Sequence, residues 1–448
     1  MGMPQNFLLC DRDQDWLLPP SVRDWLAEDH LAWFVLDAVS ELDLSGFYSA
    51  YRDDGHGRAA HDPAMMVALL VYAYSVGVLS SRKIEIACRQ DVAFRVIAGN
   101  RVPDHTTIAR FRVRHASALA DLFVGALALC ARAGMVKVGK IAVDGTKMRA
   151  NAGLSANREL DAIRREVQGL LEAAAEEDAA EDELFGDRRG DELPAELANA
   201  RSRRERLAQA KRELEAEEQA LEVEYQAKLG RRREYQQRTG RNPAGRPPKP
   251  PAEHSKRKGG KAKRNITDPQ SRIMTDRGRL IQAYNAQAAV GTNRVIIAAE
   301  VTNHALDNQQ LGTMFQAARQ NLEAIGHHER IKVLLADNGY WSKQQIREVE
   351  RESRTLVVIP THSRTDRTTP PPRGPEAERI KRIMASDPGQ RLYRKRAEMI
   401  EPVFAETKHN RKIGQFSRRG LSAVGHEWKF IAATHNLLRL FHWAAQPA

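Results

Sequence analysis

Apolar residues recur at helical spacing from Val22 to Leu44 and from Pro63 to Leu79, which predicts a helical start to the chain. Asp62-Pro63 reads as a helix start, a capping side chain followed by a residue whose fixed φ suits the first turn. Ser80 to Cys88 and, after the breakers Gly99 and Pro103, Asp104 to Arg114 predict two short helices across a turn. The second is basic, with Arg110 and Arg114 one turn apart on one face and Arg112 off to the side. Two readings fit: a helix-turn-helix-like unit that sets these arginines against DNA, or a helical bundle with a solvated basic face.

The pattern changes at Lys140. Lys140 to Val143 is a short apolar strand that ends in Asp144, and Ile331 to Ala336 is a second that ends in Asp337. Between them, Leu160, Ile163, Val167 and Leu170 form one helical stripe and Leu207, Leu214 and Leu221 a heptad stripe. Gly186, Gly190 and Pro194 separate the two, predicting an antiparallel helical hairpin over residues 152–230 with a thin seam. Order resumes at Ile266. Tyr284 to Val290 and Arg294 to Val301 predict a hairpin around Gly291-Thr292-Asn293, and Asp307 to Ile325 a helix with Leu311, Met314, Phe315, Ala318 and Leu322 on one face. A helix from Ser342 to Ser353, a strand from Thr355 to Ile359, a loop from Thr361 to Pro375, and helices from Val403 to Asn410 and Ala423 to Trp443 complete an alternating α/β pattern.

Charge changes this picture at one place. The chain of 448 residues has a net charge of +12 and a pI near 9.6. Residues 231–264 hold thirteen Lys and Arg against two Glu, nearly the whole excess. Asn242 to Pro251, with its repeated prolines, cannot form a helix or a central strand. Arg246 at the centre of Gly-Arg-Pro, followed by Lys249, is similar to an AT-hook core, suited to a narrow minor groove; a solvated linker that adds nonspecific affinity is the other reading. The cysteines, Cys10, Cys88 and Cys130, have no zinc or disulfide spacing, which favours a reducing compartment. No secretory leader or membrane span is predicted.

The chemistry rests on three carboxylates. Asp144 and Asp337 at strand ends, with Glu401 later, form the ligand set of two-metal phosphoryl chemistry, in which hard cations gather several carboxylate oxygens from rigid elements. Each alone also has a bland explanation, since Asp144-Gly145 and Asp337-Asn338-Gly339 are turn signatures. Pro402 biases its predecessor away from α geometry and so predicts Glu401 at a helix start, which leaves Glu398 and Glu406 as rivals for the third position. No Gly-rich phosphate loop appears, so ATP is not implied.

Five segments carry a family resemblance: VDGTKMRANA at Val143 to Ala152, NITDPQSRIM at Asn265 to Met274, YNAQAAV at Tyr284 to Val290, ADNGYW at Ala336 to Trp341, and EPVFAETKHNRKIGQFSRRG at Glu401 to Gly420. On these the chain resembles bacterial insertion-sequence transposases of the DDE type, in the broad group of the insertion sequences numbered four, five and eleven-eighty-two, nearest the last. The resemblance implies a ribonuclease-H-like mixed-sheet core that binds the element's ends and cuts and joins DNA. Asp144, Asp337 and Glu401 would be the catalytic metal ligands for two Mg²⁺ ions, replaceable by Mn²⁺. Tyr393, Arg396 and Lys408 would hold terminal phosphates, although Arg396 to Glu401 is one residue longer than the usual spacing. Lys147, Arg149, Arg411, Lys412, Arg418 and Arg419 would line the DNA path. Double-stranded DNA, as element ends and target, is the implied partner. A homodimer or larger synaptic complex is implied too, in the bacterial cytoplasm at the nucleoid.

The expected fold class is multidomain α/β. Residues 1–135 are the helical DNA-binding domain, 136–151 the first strand of the core, and 152–264 an insertion made of the hairpin 152–230 and the basic linker 231–264; 265–448 hold the rest of the core. Two other functions share these residues: a DNA-binding regulator whose core is inactive, and a metal-dependent nuclease that cuts without joining.

Overall fold

The computed structural model describes residues 21–51, 59–169, 195–243, 247–248, 250, 263–361 and 372–445. Cys10, Leu170, the breakers Gly186, Gly190 and Pro194 of the expected helical hairpin, and residues 244–246, 249 and 251–262 of the expected basic linker, with Arg246 and Lys249 among them, lie outside the described residues. The chain divides into two compact units, Met1–Ala118 with Leu437–Ala448, and Leu119–Asn436.

The first unit is helical among its described residues. The helix Pro63–Ser75 is apolar all round and buried along nearly its whole length, as a helix enclosed by others must be. Asp62 caps it by accepting from Met65 N at 3.0 Å. Asp104 does the same for the helix His105–Arg114, accepting from Thr106 N and Thr107 N at 2.9 Å. Glu85, on the helix Ser81–Gln90, accepts from the His105 backbone N–H at 3.0 Å. The two short helices expected around a turn are thereby tied together. Arg110 and Arg114 are exposed, and Arg114 stacks over the Tyr51 ring at 4.5 Å. Arg112 is turned inward: it donates to Leu79 O at 2.7 Å and to Ser81 Oγ. Its guanidinium holds this unit's loops, a use that its place off the basic face left open.

The second unit is built on β1 (Lys140–Arg149), β2 (Asn157–Glu159), β3 (Lys263–Asn265), β4 (Arg272–Asp276), β5 (Arg279–Gly291), β6 (Ile296–Thr302), β7 (Val333–Ala336) and β8 (Leu356–Val358). The main sheet runs β4–β5–β1–β7–β8, with β6 also on β5. β5 is antiparallel to β1, β4 and β6, and β1, β7 and β8 are parallel. The parallel strands are short apolar runs because helices cover them. The helix Leu311–Ala324 lies on β6 and β5, and the helix Asp387–Ala405 on β1, β5 and β7. β4 and the helix Pro375–Ala385 were not legible as elements.

β2 and β3 pair antiparallel from Asn157↔Asn265 to Glu159↔Lys263, which brings the two ends of the insertion together. Leu160 and Ile163 then pack against Leu207, Ala210 and Leu214 of the helix Ala195–Thr239, with Val167 and Ile266 at the margin. The seam stops short of Leu221, which is 47 % exposed. The helix also continues through Arg231–Arg233, part of the stretch expected to be linker. Arginine favours helix, and the breakers arrive only with Gly240, at φ +64°, and Pro243.

The expectation for Glu401 is overturned. Glu401 does not start a helix: the helix Asp387–Ala405 continues through Pro402. An interior proline removes the bond to the carbonyl four residues back and costs about 3 kcal/mol where nothing replaces it. That carbonyl belongs to Glu398, and Arg294 Nε donates to it at 3.3 Å.

The seam sets an expected contrast. Leu207→Ala, at a fully buried position, should cost about 2–4 kcal/mol. Leu221→Ala should change stability by less than about 0.5 kcal/mol. Amide exchange of residues 160–169 measures both, and equal protection in the two variants would contradict this packing.

Candidate active site

Parallel pairing of β1 with β7 ends at Val143↔Ala336, while β1 continues along β5 to Arg149. The strands part immediately before Asp144 and Asp337. Asp144 is therefore not at the end of β1 but in its middle, at the mouth of the crevice beyond the carboxyl ends of parallel strands, where open α/β sheets place their ligands.

Each aspartate is oriented by a glycine that follows it. Gly145 N donates to Asp144 Oδ1 at 2.8 Å, and Gly339 N to Asp337 Oδ1 at 2.9 Å. Arg396 reaches in from the helix Asp387–Ala405, its Nη1 2.8 Å from Asp144 Oδ2 and its Nη2 3.9 Å from Glu401 Oε1. Burial pushes the Asp144 carboxyl up to about 6, against the pull of Arg396 and helped by the charge of Asp337. Asp337 is raised as well, by burial first, with Arg396 opposing and Asp307 adding to it. Burial works against the Arg396 charge, but Asp144, Tyr393 and Asp337 more than compensate and hold its pKa above the ordinary value.

Tyr393 lies one turn before Arg396, its ring centroid 5.9 Å from the guanidinium. With Asp337, Asn338, Arg394, Arg396 and Glu401 it lines an open cavity of about 650 Å³. Lys408, in the π-helical turn Glu406–Asn410, donates to Lys147 O at 2.8 Å, and burial lowers its pKa. Glu401 has a side chain 64 % exposed at the rim. Of its rivals, Glu398 pairs with Lys395 at 2.6 Å, and Glu406 Oε2 lies 3.4 Å from His435 Nδ1.

The remaining cations expected near DNA divide. Arg149, Lys412 and Arg419 are exposed and Arg418 is partly so. Lys147 is paired with Asp307 at 3.6 Å. Arg411 is 2 % exposed and donates to Ile431 O and Thr434 Oγ1, so it braces the helix Leu421–Ala444 from within. Sequence reasoning missed Asp307, Asn285 and Gln287. Asn285 Nδ2 and Gln287 Nε2 donate to Asp307 Oδ1 at 2.6 and 2.7 Å, and Tyr340 donates to Gln287 Oε1. A signal existed: two amides, Asn285 and Gln287, at alternate positions of the buried run Tyr284 to Val290.

Among the described residues no three acidic or imidazole groups stand close enough to hold one metal ion. The donor chemistry nevertheless fits a divalent cation. Burial raises both carboxyls, and Arg396, whose charge acts on both and which pairs with Asp144, also stands beside Glu401. A guanidinium here stands where a hard cation would satisfy the same oxygens.

Comparison with known families gives the class of protein to which such a sheet and crevice belong. Residues 20–114 match the family described as a transposase domain of the DUF772 type, and residues 246–437 match the transposase DDE domain. Together the matches support an insertion-sequence DDE transposase, an enzyme acting on DNA. No curated protein and no solved structure matches the chain. Among the described residues no single helix is long and apolar enough to cross a membrane.

A carboxyl with a raised folded-state pKa disfavours folding once it ionises. Metal-free wild type should therefore lose stability relative to Asp144→Asn as pH rises from about 4 to about 6, from the ordinary 3.8 to the raised value. Thermal unfolding at pH 4.5 and 7.5 measures this, and a gap that does not widen with pH would contradict it. Excess Mg²⁺ at pH 7.5 should narrow the gap by stabilising wild type alone.

Proposed function

We propose that this protein is a DDE transposase with a ribonuclease-H-like core, nearest the eleven-eighty-two insertion-sequence group, that cleaves the ends of its element and joins them to a target. The observation that carries this reading is the placement of Asp144 and Asp337 on either side of the parting between β1 and β7, with Arg396 and Glu401 reaching the same point. The strand order β6–β5–β1–β7–β8, with only β5 reversed relative to β1, β7 and β8 along that central path, supports the ribonuclease-H-like core.

Asp144, Asp337 and Glu401 would hold two Mg²⁺ ions, or Mn²⁺ in their place, which supply activation of the attacking oxygen and neutralisation of the leaving one. The chain's own residues bind and orient DNA. Glu401 sits mid-helix on a flexible stem, so a rotamer change brings its carboxylate inward without moving the backbone. Arg396 leaves Asp144 for a DNA phosphate, because a charge-assisted fork to phosphate replaces the pair it gives up. Tyr393, beside it, offers its hydroxyl to the same backbone, and Lys408, fixed to the carbonyl of Lys147, offers a buried ammonium. These groups place the scissile phosphate and do not take part in bond-making.

Arg110 and Arg114 offer exposed charge for end binding, and Arg246 and Lys249 supply further phosphate or minor-groove contacts. Cutting two ends together calls for a homodimer or larger synaptic complex. The four-part division into residues 1–135, 136–151, 152–264 and 265–448 is kept as the functional plan, with activity in the bacterial cytoplasm at the nucleoid.

The test is cleavage and strand transfer on DNA carrying the element's ends, with Mg²⁺ or chelator, for wild type and Asp337→Asn. Wild type should cut and join, and the variant should lose both by about 10²–10³-fold or more while still binding the ends. Wild-type binding without cutting would replace this reading with a DNA-binding regulator; cutting without a joined product would make it a nuclease. The third ligand is tested in the same assay. Glu401→Gln should fall with Asp337→Asn, while Glu398→Gln and Glu406→Gln should stay within about threefold of wild type; a larger loss at Glu406 than at Glu401 would reassign the role.

A further inference from the structure

Both aspartates at the crevice take an N–H from a glycine, Gly145 for Asp144 and Gly339 for Asp337. Neither glycine has a positive φ, so backbone conformation does not explain the residue type; the space over the two α-carbons does. A methyl group on Gly145 would stand 2.9 Å from Asp307 Oδ1 and 2.8 Å from Asn285 Oδ1, and closer still to Gln287 Nε2. A methyl group on Gly339 would stand 3.1 Å from Asp337 Oδ1, the oxygen its own N–H holds, and at ordinary contact distance, 3.6 Å, from Asp307 Oδ2. The Asp307 carboxylate therefore crowds Gly145 through Oδ1 and lies close to Gly339 through Oδ2, next to both glycines that orient the aspartates.

That carboxylate is itself held firmly. Oδ1 accepts from Asn285 Nδ2 and Gln287 Nε2, side chains that lie on β5 directly opposite Lys147 and Gly145 in the β1–β5 register. Lys147 Nζ stands 3.6 Å from the same oxygen. Gln287 is in turn fixed by the hydroxyl of Tyr340, the residue after Gly339. The chain of contacts runs from Lys147 on β1 through Asp307 and the amides of β5 to Tyr340 in the turn after β7.

We infer that Asp307 is a positioning residue for the proposed metal centre, a bracket whose two carboxylate oxygens fix the glycine turns carrying Asp144 and Asp337 and so set the separation of the two ligands. It does this from beneath β1, through hydrogen-bonded amides, and is not itself a ligand. The inference rests on the proposed function, since it concerns metal held by Asp144 and Asp337. Groups that orient metal ligands from behind typically contribute 10–100-fold to affinity.

The experiment is a Mn²⁺ titration of the full chain without DNA, followed by electron paramagnetic resonance, for wild type, Asp144→Asn, Asp307→Asn and Asp307→Glu, with thermal unfolding alongside. The component of binding lost in Asp144→Asn reports the centre. Asp307→Asn should weaken that component about tenfold or more, with a melting temperature within a few degrees of wild type. Asp307→Glu is the discriminating variant: it keeps the charge but moves the oxygens by a methylene, so a bracket predicts weakening as in Asp307→Asn. Binding in Asp307→Glu equal to wild type would overturn the bracket and leave only a long-range charge effect. If the Asp307 variants fail to fold, Gly145→Ala presses on the same bracket from the other side and should weaken the same component; unchanged affinity there would overturn the inference. A wild-type titration with no component dependent on Asp144 would instead remove the metal centre, and the proposed function and the bracket would fall together.

Discussion

The pair between Arg396 and Asp144 is the interaction on which the site depends. β1 and β7 lie in register up to Val143 and Ala336 and then separate, which leaves two carboxylates facing each other in a half-desolvated crevice. Two such charges cannot both be comfortable without a cation. In the protein alone Arg396 supplies it, and its pull on Asp144 is overcome by burial, so the pair does not satisfy the carboxylate fully.

The rest of the second unit makes that arrangement possible. The helix Asp387–Ala405 carries Tyr393, Arg396 and Glu401 across β1, β5 and β7, and Arg294 donates to the Glu398 carbonyl that Pro402 leaves without its helical partner. The π-helical turn that follows hands Lys408 to the backbone of β1 at Lys147. π-turns inside helices are frequent at functional sites because they rotate one or two side chains off the regular repeat. The insertion is held by a separate small core around Leu160, Ile163, Leu207 and Leu214 and closed at its base by β2 and β3. A 45-residue helix is thereby accommodated between two strands of one sheet.

Local signals were legible because local physics fixes them. Asp62, Asp104 and the apolar runs into Asp144 and Asp337 act within a few residues of themselves, through capping bonds and strand burial, and they are read directly from spacing. The seam between Leu160 and Leu214 was legible for the same reason, and Leu221, which is exposed, was misjudged because a heptad repeat says where a partner could pack but not that one does.

What the sequence by itself determined is therefore the set of short elements, the two strand-borne aspartates and the later glutamate with basic neighbours. What only the tertiary structure decided is how those groups meet. Glu401 lies inside a helix that runs through Pro402, where Arg294, more than a hundred residues earlier in the chain, donates to a carbonyl that proline cannot satisfy. Arg112 and Arg411 serve the fold because the loops and helices around them surround their guanidinium groups. Asp307 matters because Gly145 and Gly339, far apart in sequence, converge on its two oxygens. Each of these depends on close approach between distant segments, which no pattern confined to one segment can encode.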